Sequence, residues 1–353
     1  MGDKILMKGN EAVAEAAIRA GCRHYYAYPI TPQSELIEYM ARQMPLAGGT
    51  FLQAESEVAA INMVLGAAAC GMRVMTSSSS PGISLKQEGI SYIAACRLPA
   101  VIVNVQRGGP GLGNIAPMQA DYFQATRGGG HGDYYTPVLS PSSVQEFADM
   151  APLAFEIAEE YRTPVVIFAD GMLGQMMEPV VFPDSYAPQK DPSAWALGCK
   201  REGEFCNHII NSLFIDPAVL DQKTRELFAE YDRIRQNEIR YERYNLDEQP
   251  SILVVSTGTA ARVVKSAVDA LAEEGIKVGL LRPITLWPFP YQAVAEAARG
   301  VKKVLTVELN MGQMEQDVRL ALAGSCETAF VGKAGGLVFT PEELTEIIRG
   351  YAS

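Results

Sequence analysis

The run Ala100-Val101-Ile102-Val103-Asn104-Val105 constrains the fold more than any other stretch of the chain. It is almost continuously apolar and shows none of the alternation expected of a strand with one wet face. A strand of this kind is buried on both sides, which in practice means a parallel sheet covered by helices on each face. The sequence around it alternates strand and helix strictly. An amphipathic helix over 10–20, with Asn10 as N-cap and Gly21 as its stop, precedes a strand over 24–28. Thr31 reads as the next N-cap, with Pro32 at the first helical position and a helix running to about Met44. Strands follow near 50–53, 72–76, 100–105, 136–139 and 164–169, with helices between them. This order predicts an α/β fold built on a doubly wound parallel sheet. Right-handed crossovers place the loops after its strands on one rim, where open α/β sheets bind ligands.

From about residue 178 to 249 the character changes to prolines, charges and scattered aromatics, ending in a charged helix over 221–244 that reads as a solvated linker. A second, smaller α/β unit begins near Ser251, with strands at about 252–256, 277–281, 303–307 and 328–331. The expected division is therefore 1–180, a helical linker or insert over 181–250, and 251–353. The net charge of −11 argues against a nucleic-acid or anionic-membrane surface, both of which want clustered Lys and Arg. No apolar run is long enough to span a bilayer, and the N-terminus lacks the basic and apolar regions of a signal peptide, so a cytoplasmic location is expected. The six cysteines form no C-x-x-C pair. Cys22, Cys70 and Cys96 read as buried small hydrophobes. Cys199 and Cys206, with His208 nearby, match no ligand spacing, so no metal site is assigned.

The residues that can carry chemistry gather after the strands. Tyr28-Pro29-Ile30-Thr31-Pro32-Gln33-Ser34 is a stiff turn between a strand and a helix, which an ordinary βα connection would also explain. Glu55 and Glu57 open a helix that is otherwise apolar. The macrodipole accounts for one of these acids. The other can point into the sheet-edge cleft, where burial favours the protonated form of a carboxyl. One cofactor needs such a group: the ring nitrogen of the thiamine diphosphate aminopyrimidine takes a hydrogen bond from a buried acid. Arg107, after an apolar strand and before glycines, can grip a carboxylate or phosphate in bidentate fashion, with the Thr31 hydroxyl on the same anion. Ser77 to Ser80 precede a helix start and form a polar-ligand loop, or equally a turn of small residues. Gly111-Leu112-Gly113-Asn114-Ile115-Ala116 fits a dinucleotide fingerprint in spacing, but prolines bracket it and no acid follows at the required distance.

Several of these segments carry a resemblance. Tyr28-Pro29-Ile30-Thr31-Pro32, Gln53-Ala54-Glu55-Ser56-Glu57-Val58-Ala59-Ala60, Thr76-Ser77-Ser78-Ser79-Ser80-Pro81-Gly82 and Arg107-Gly108-Gly109-Pro110 occur in this order. With Leu281-Arg282-Pro283-Ile284-Thr285-Leu286-Trp287-Pro288-Phe289-Pro290, they resemble the α subunit of 2-oxoacid:ferredoxin oxidoreductases over nearly the whole chain. The branched-chain type, acting on 3-methyl-2-oxobutanoate (2-oxoisovalerate), is the most similar, and the 2-oxoglutarate type stays in play. The resemblance implies a pyrimidine-binding thiamine diphosphate domain and a transketolase C-terminal-like domain. It also implies oxidative decarboxylation of a 2-oxoacid, with CoA taking the acyl group and ferredoxin the electrons. Glu57 would activate the aminopyrimidine, Thr31 and Arg107 would face the substrate, and Pro29, Ile30, Ser78, Ser79 and Ser80 would lie at the cofactor. A β subunit would hold the diphosphate, its Mg2+ and a 4Fe-4S iron–sulfur cluster, with a small ferredoxin-like subunit as a further partner. Two other readings stand beside this one: a non-catalytic structural subunit on the same fold, and a nicotinamide-dependent enzyme using the Gly111 loop.

Overall fold

The computed structural model describes residues 4–201, 203–205, 208–247 and 250–352. The first strands are β1 (Ile5–Lys8), β2 (His24–Ala27), β3 (Thr50–Gln53), β4 (Val74–Ser78), β5 (Ala100–Gln106), β6 (Val138–Leu139), β7 (Pro164–Asp170) and β8 (Met177–Val180). β9 (Lys200–Arg201) and β10 (Glu204–Phe205) pair as a short hairpin. Then come β11 (Tyr241–Tyr244), β12 (Ile252–Val255), β13 (Val278–Pro283), β14 (Thr285–Trp287), β15 (Lys303–Glu308) and β16 (Glu327–Gly332). Two sheets carry the fold. One has seven strands in the order β14-β6-β7-β5-β4-β2-β3, the other five in the order β11-β13-β12-β15-β16. In the first, only the edge strand β14 is antiparallel; in the second, only the edge strand β11 is. All residues of β5 and of β7 are buried, as a sheet covered on both faces requires.

The strand order reverses between β2 and β4. The chain leaves β2 for β3 on one side and returns past β2 to β4 on the other, so right-handed crossovers send the connecting helices to opposite faces. Helix Gly9–Arg19 accordingly packs on Ser34–Leu46 and Val144–Tyr161, and Glu57–Ala69 packs on Ser80–Ala95. Pairing between β2 and β4 covers only His24↔Val74 and Tyr25↔Met75, whereas β2 stays with β3 as far as Ala27↔Gln53 and β4 with β5 as far as Ser78↔Asn104. The two central strands thus part towards their carboxyl ends. Side chains bridge the gap: Thr76 Oγ1 donates to the Tyr26 carbonyl at 2.6 Å, and the Tyr25 hydroxyl meets Ser77 Oγ at 2.5 Å.

Several local expectations are corrected. Asn10 is not a cap. It lies inside helix Gly9–Arg19, fully buried, and its amide donates to the Pro32 carbonyl (2.9 Å) and Glu35 Oε2 (3.0 Å), a tertiary role that outweighs capping. Thr31 is not a cap either: Thr31 and Pro32 form a turn with a cis peptide between them, and the helix begins at Ser34. The charged helix runs Pro217–Asn237 and buries one face. Leu227, Tyr231 and Ile234 point inward, and Tyr231 meets Tyr135 and Trp287 edge-on, with centroids 5.6 and 5.4 Å apart. Its other face carries the ion pairs Arg225–Asp221, Lys223–Glu226, Arg233–Glu230 and Arg235–Asp232. The residues after it turn into β11, which joins the second sheet. Cys22 is buried, but Cys70 ends exposed at the C-terminus of helix Glu57–Ala69. Cys206 lies outside the described residues. Among the described residues no helix is long and apolar enough to cross a membrane.

The two sheets are clamped by buried polar contacts. Arg282, 1% exposed, donates from Nη1 and Nη2 to Glu146 (3.0 and 2.6 Å) and from Nε to Glu242 (2.7 Å). At the end of β7, Asp170 accepts from the Met172 and Leu173 amides, from Gln119 Nε2 (3.0 Å) and from Thr259 Oγ1 (2.5 Å). β14 completes the join, since it follows β13 of the second sheet by two residues yet hydrogen-bonds to β6 of the first.

Candidate active site

The parting of β2 and β4 creates a crevice at the reversal of strand order, outside the carboxyl ends of the strands. The turn over 28–32 follows β2, Glu57 follows β3, Ser79 and Ser80 follow β4, and Arg107 follows β5. Four loops therefore converge on one rim, as the alternation predicted.

Ser56 starts the helix that positions Glu57. Its Oγ accepts from the Ala59 amide at 3.1 Å, which leaves Glu57 as the first helical residue. Glu55 is exposed, while Glu57 is 6% exposed. Structure thus separates the two acids, which the residue pattern alone left undivided and of which the resemblance singled out Glu57. The Glu57 carboxylate lies against Gly82 on the neighbouring helix: a methyl group built there would come within 2.7 Å of Glu57 Oε1 and 2.1 Å of Ser78 Oγ. Gly82 is the third residue of helix Ser80–Ala95, and its missing side chain leaves the acid its place.

One turn further along that face lies Lys86, fully buried. Its ammonium donates to Thr76 Oγ1 (2.7 Å) and to the Ser77 carbonyl (2.9 Å). Burial holds its affinity for a proton down to about 7, with the charge of Glu57 pulling the other way. The sequence reading gave neither residue a role, although Gly82 closes the Thr76–Gly82 segment. No local pattern in the sequence distinguishes Lys86 from a lysine whose ammonium reaches water.

Arg107 is 8% exposed. Its Nη1 donates to the Thr31 carbonyl at 3.0 Å and its Nη2 to the Leu112 carbonyl at 3.3 Å, while Nε is buried without a partner. Among the described residues no carboxylate pairs with it, so its charge is free for an anionic ligand. Thr31 meets Arg107 through its backbone, and the residue itself is exposed at the rim. Pro29 is exposed and Ile30 half-buried beside it. Ser80 Oγ accepts from the Arg107 amide (3.1 Å) and donates to Asp121 Oδ2 (2.7 Å), which also accepts from Asn104 Nδ2 (2.9 Å). Burial pushes the Asp121 carboxyl above its ordinary range, against those two hydrogen bonds. Asn104, the one polar residue in the run that opened the sequence reading, therefore serves this network.

Ser78 and Ser79 differ from Ser80. Their hydroxyls are buried and have no partner within the chain. Buried hydroxyls are normally satisfied, so two orphans at a crevice beside a buried acid are the arrangement a polar ring or phosphate would complete. The residues present thus fit an aminopyrimidine: an acid to bond a ring nitrogen and hydroxyls for its edge. The Gly111 loop has no such arrangement. Its glycines lead into no helix, the next one starting at Tyr122, so the dinucleotide geometry is missing.

Residues 15–243 match the family model "Pyruvate flavodoxin/ferredoxin oxidoreductase, thiamine diP-bdg", and residues 251–344 match "Pyruvate:ferredoxin oxidoreductase core domain II". The chain is 49% identical over 347 residues to the ketoisovalerate oxidoreductase subunit VorB of Methanothermobacter thermautotrophicus, covering 98% of this chain and 97% of that one. It is 37% identical over 377 residues to the 2-oxoglutarate synthase subunit KorA of the same organism, covering 99% of each. Among solved structures, the 2-oxoglutarate:ferredoxin oxidoreductase of Magnetococcus marinus, with 2-oxoglutarate, coenzyme A and succinyl-CoA bound, superposes with a TM-score of 0.90 at 29% identity. The match covers all of this chain and 66% of that one. A split-gene transketolase shares the fold at a TM-score of 0.59 and 14% identity.

Proposed function

This chain belongs to the pyruvate flavodoxin/ferredoxin oxidoreductase family, as a subunit of a thiamine-diphosphate-dependent 2-oxoacid:ferredoxin oxidoreductase, and from that premise we propose that it acts on a branched-chain 2-oxoacid through Glu57, Thr31 and Arg107. The reaction is oxidative decarboxylation of 2-oxoisovalerate, giving acyl-CoA, CO2 and reduced ferredoxin. The higher identity to a ketoisovalerate oxidoreductase subunit than to 2-oxoglutarate synthase subunits supports that substrate over a dicarboxylic one.

The observation that carries the assignment is the buried Glu57 carboxyl in the crevice, with Gly82 cut back to make room for it. Thiamine diphosphate, when bound, supplies the electron sink that lets a 2-oxoacid lose CO2. The chain's own residues do the rest of this subunit's work. Glu57 would hydrogen-bond a ring nitrogen of the aminopyrimidine through its buried carboxyl group. Ser78 and Ser79, whose hydroxyls have no partner within the chain, would bond the same ring, and Pro29 and Ile30 would lie beside it. Arg107 orients the substrate carboxylate, its guanidinium fixed by the Thr31 and Leu112 carbonyls, while Thr31 sits at the mouth. The diphosphate with its Mg2+, and the 4Fe-4S cluster, are assigned to a β subunit, and a small ferredoxin-like subunit completes the path to ferredoxin.

Replacement of the acid tests the reading. In the complex isolated anaerobically, Glu57→Gln and Glu57→Ala should abolish CoA-dependent viologen reduction while the complex stays assembled. Near-normal turnover in either variant, with the cofactor bound, sinks the role of Glu57 and favours a structural subunit. The same assay with 2-oxoisovalerate, 2-oxoglutarate and pyruvate decides the substrate; preference for 2-oxoglutarate would keep the mechanism and overturn the branched-chain assignment.

A further inference from the structure

At the opposite edge of the first sheet, two helices end in arginines with left-handed backbones: Arg97 (φ +53°) after Ser80–Ala95, and Arg162 (φ +51°) after Val144–Tyr161. Helix ends normally use glycine for this conformation, because a side chain strains it. Strained residues persist where the surroundings need that side chain. The two arginines are neighbours: Arg162 Nε donates to the Arg97 carbonyl at 3.1 Å. The Arg162 guanidinium lies over the half-buried Trp195 ring, 4.9 Å from its centroid. Burial and the Arg97 charge together hold Arg162 down to about 10. Glu230 is the acid that offsets this, but it is already bonded by Arg97 at 3.1 Å and by Arg233 at 2.6 Å. Arg97 Nε is buried and has no partner.

Two adjoining cavities of about 310 and 300 Å³ open on these groups and share Arg97, Phe214 and Lys223 in their walls. Lys223 is paired with Glu226 at 2.8 Å and Arg97 with Glu230 at 3.1 Å, so the unmet positive charge is that of Arg162, beside the unpartnered Nε of Arg97. β5 and β7 separate this cleft from the catalytic rim by about 20 Å, seven residues at the rise of a strand.

We propose that this cleft binds a small oxyanion-bearing molecule, with its phosphate or carboxylate head on Arg162 and Arg97 and its apolar part along Trp195 and Phe214. The two arginines supply a planar fork of donors, and the aromatic wall supplies a face for a ring. The site is separate from the proposed 2-oxoacid site, at the other end of β5 and β7.

Trp195 makes the inference measurable, since the second tryptophan, Trp287, is buried against Tyr135. The full chain is titrated with inorganic phosphate, phenyl phosphate and benzoate at low ionic strength while tryptophan emission is followed. A saturable change is expected, with phenyl phosphate binding more tightly than inorganic phosphate. Benzoate outranking phenyl phosphate identifies a carboxylate head, and the reverse order a phosphate head. Arg162→Gly should raise the melting temperature, by relieving the left-handed strain, and abolish the response. No saturable response to any of the three probes overturns the proposal. So does a response left intact in both Arg162→Gly and Arg97→Gly, each shown to be folded by its melting curve.

Discussion

Gly82→Ala is the most discriminating change at the rim proposed to be catalytic. In an ordinary helix interior it would stabilise the protein by up to about 1 kcal/mol, because alanine loses less backbone entropy than glycine. Here the new methyl carbon falls 2.7 Å from Glu57 Oε1 and 3.1 Å from Glu57 Cγ, while ordinary contact begins at 3.4 Å. Rotating the carboxylate does not relieve the clash, because the stem is also too close. The acid must retreat by about 0.7 Å, a displacement on the scale at which misplaced catalytic groups lose roughly 100-fold in rate. That loss equals about 3 kcal/mol of activation free energy. The 2.1 Å approach to Ser78 Oγ is easier to absorb, because that hydroxyl holds no partner and can rotate away. Overpacking of this kind costs about 1–3 kcal/mol of stability, partly offset by the helix gain, so the variant should remain folded. The assay is viologen reduction by the assembled complex, with cofactor affinity and thermal unfolding measured on the same sample. The expected result is a deep loss of turnover with a small change in melting temperature. Wild-type turnover in Gly82→Ala would refute the claim that Glu57 must occupy its observed position.

Arg107→Lys keeps the charge but cannot reach both the Thr31 and Leu112 carbonyls, so the KM for the 2-oxoacid should rise by about 10–100-fold with a smaller change in kcat. An unchanged KM would remove Arg107 from the substrate site. Lys86 governs a pH dependence of stability. Its folded-state value, about 7, lies below the 10.5 of the free side chain, so between those limits the unfolded chain binds more protons. Stability should therefore rise with pH across that window, and Lys86→Met should flatten the rise in a urea titration series. A slope identical in the variant would show that Lys86 stays charged in the folded protein.

The sequence by itself determined the parallel, doubly wound sheet. Strands such as Ala100–Gln106 carry no alternation, and local hydrophobic pattern suffices to say that both faces are covered. It also determined that the candidate loops share one rim, because topology places every loop that follows a parallel strand there. Four of its candidate loops do meet there. Contacts between residues distant in sequence decided the rest. Glu55 and Glu57 differ by a rotation about a helix start, and only the packing of Gly82 against one of them distinguishes the buried acid from the exposed one. Asn10 looked like a cap because capping is local; its bonds to Pro32 and Glu35 exist only once two helices pack. The charged helix Pro217–Asn237 looked solvated because most of its residues are polar, and the Tyr135–Tyr231–Trp287 cluster that buries it joins three separate stretches of chain. Lys86 was invisible as a functional group because an isolated lysine normally reaches water. Its proton affinity falls only because the fold withdraws the water from around it, and no local pattern encodes that loss.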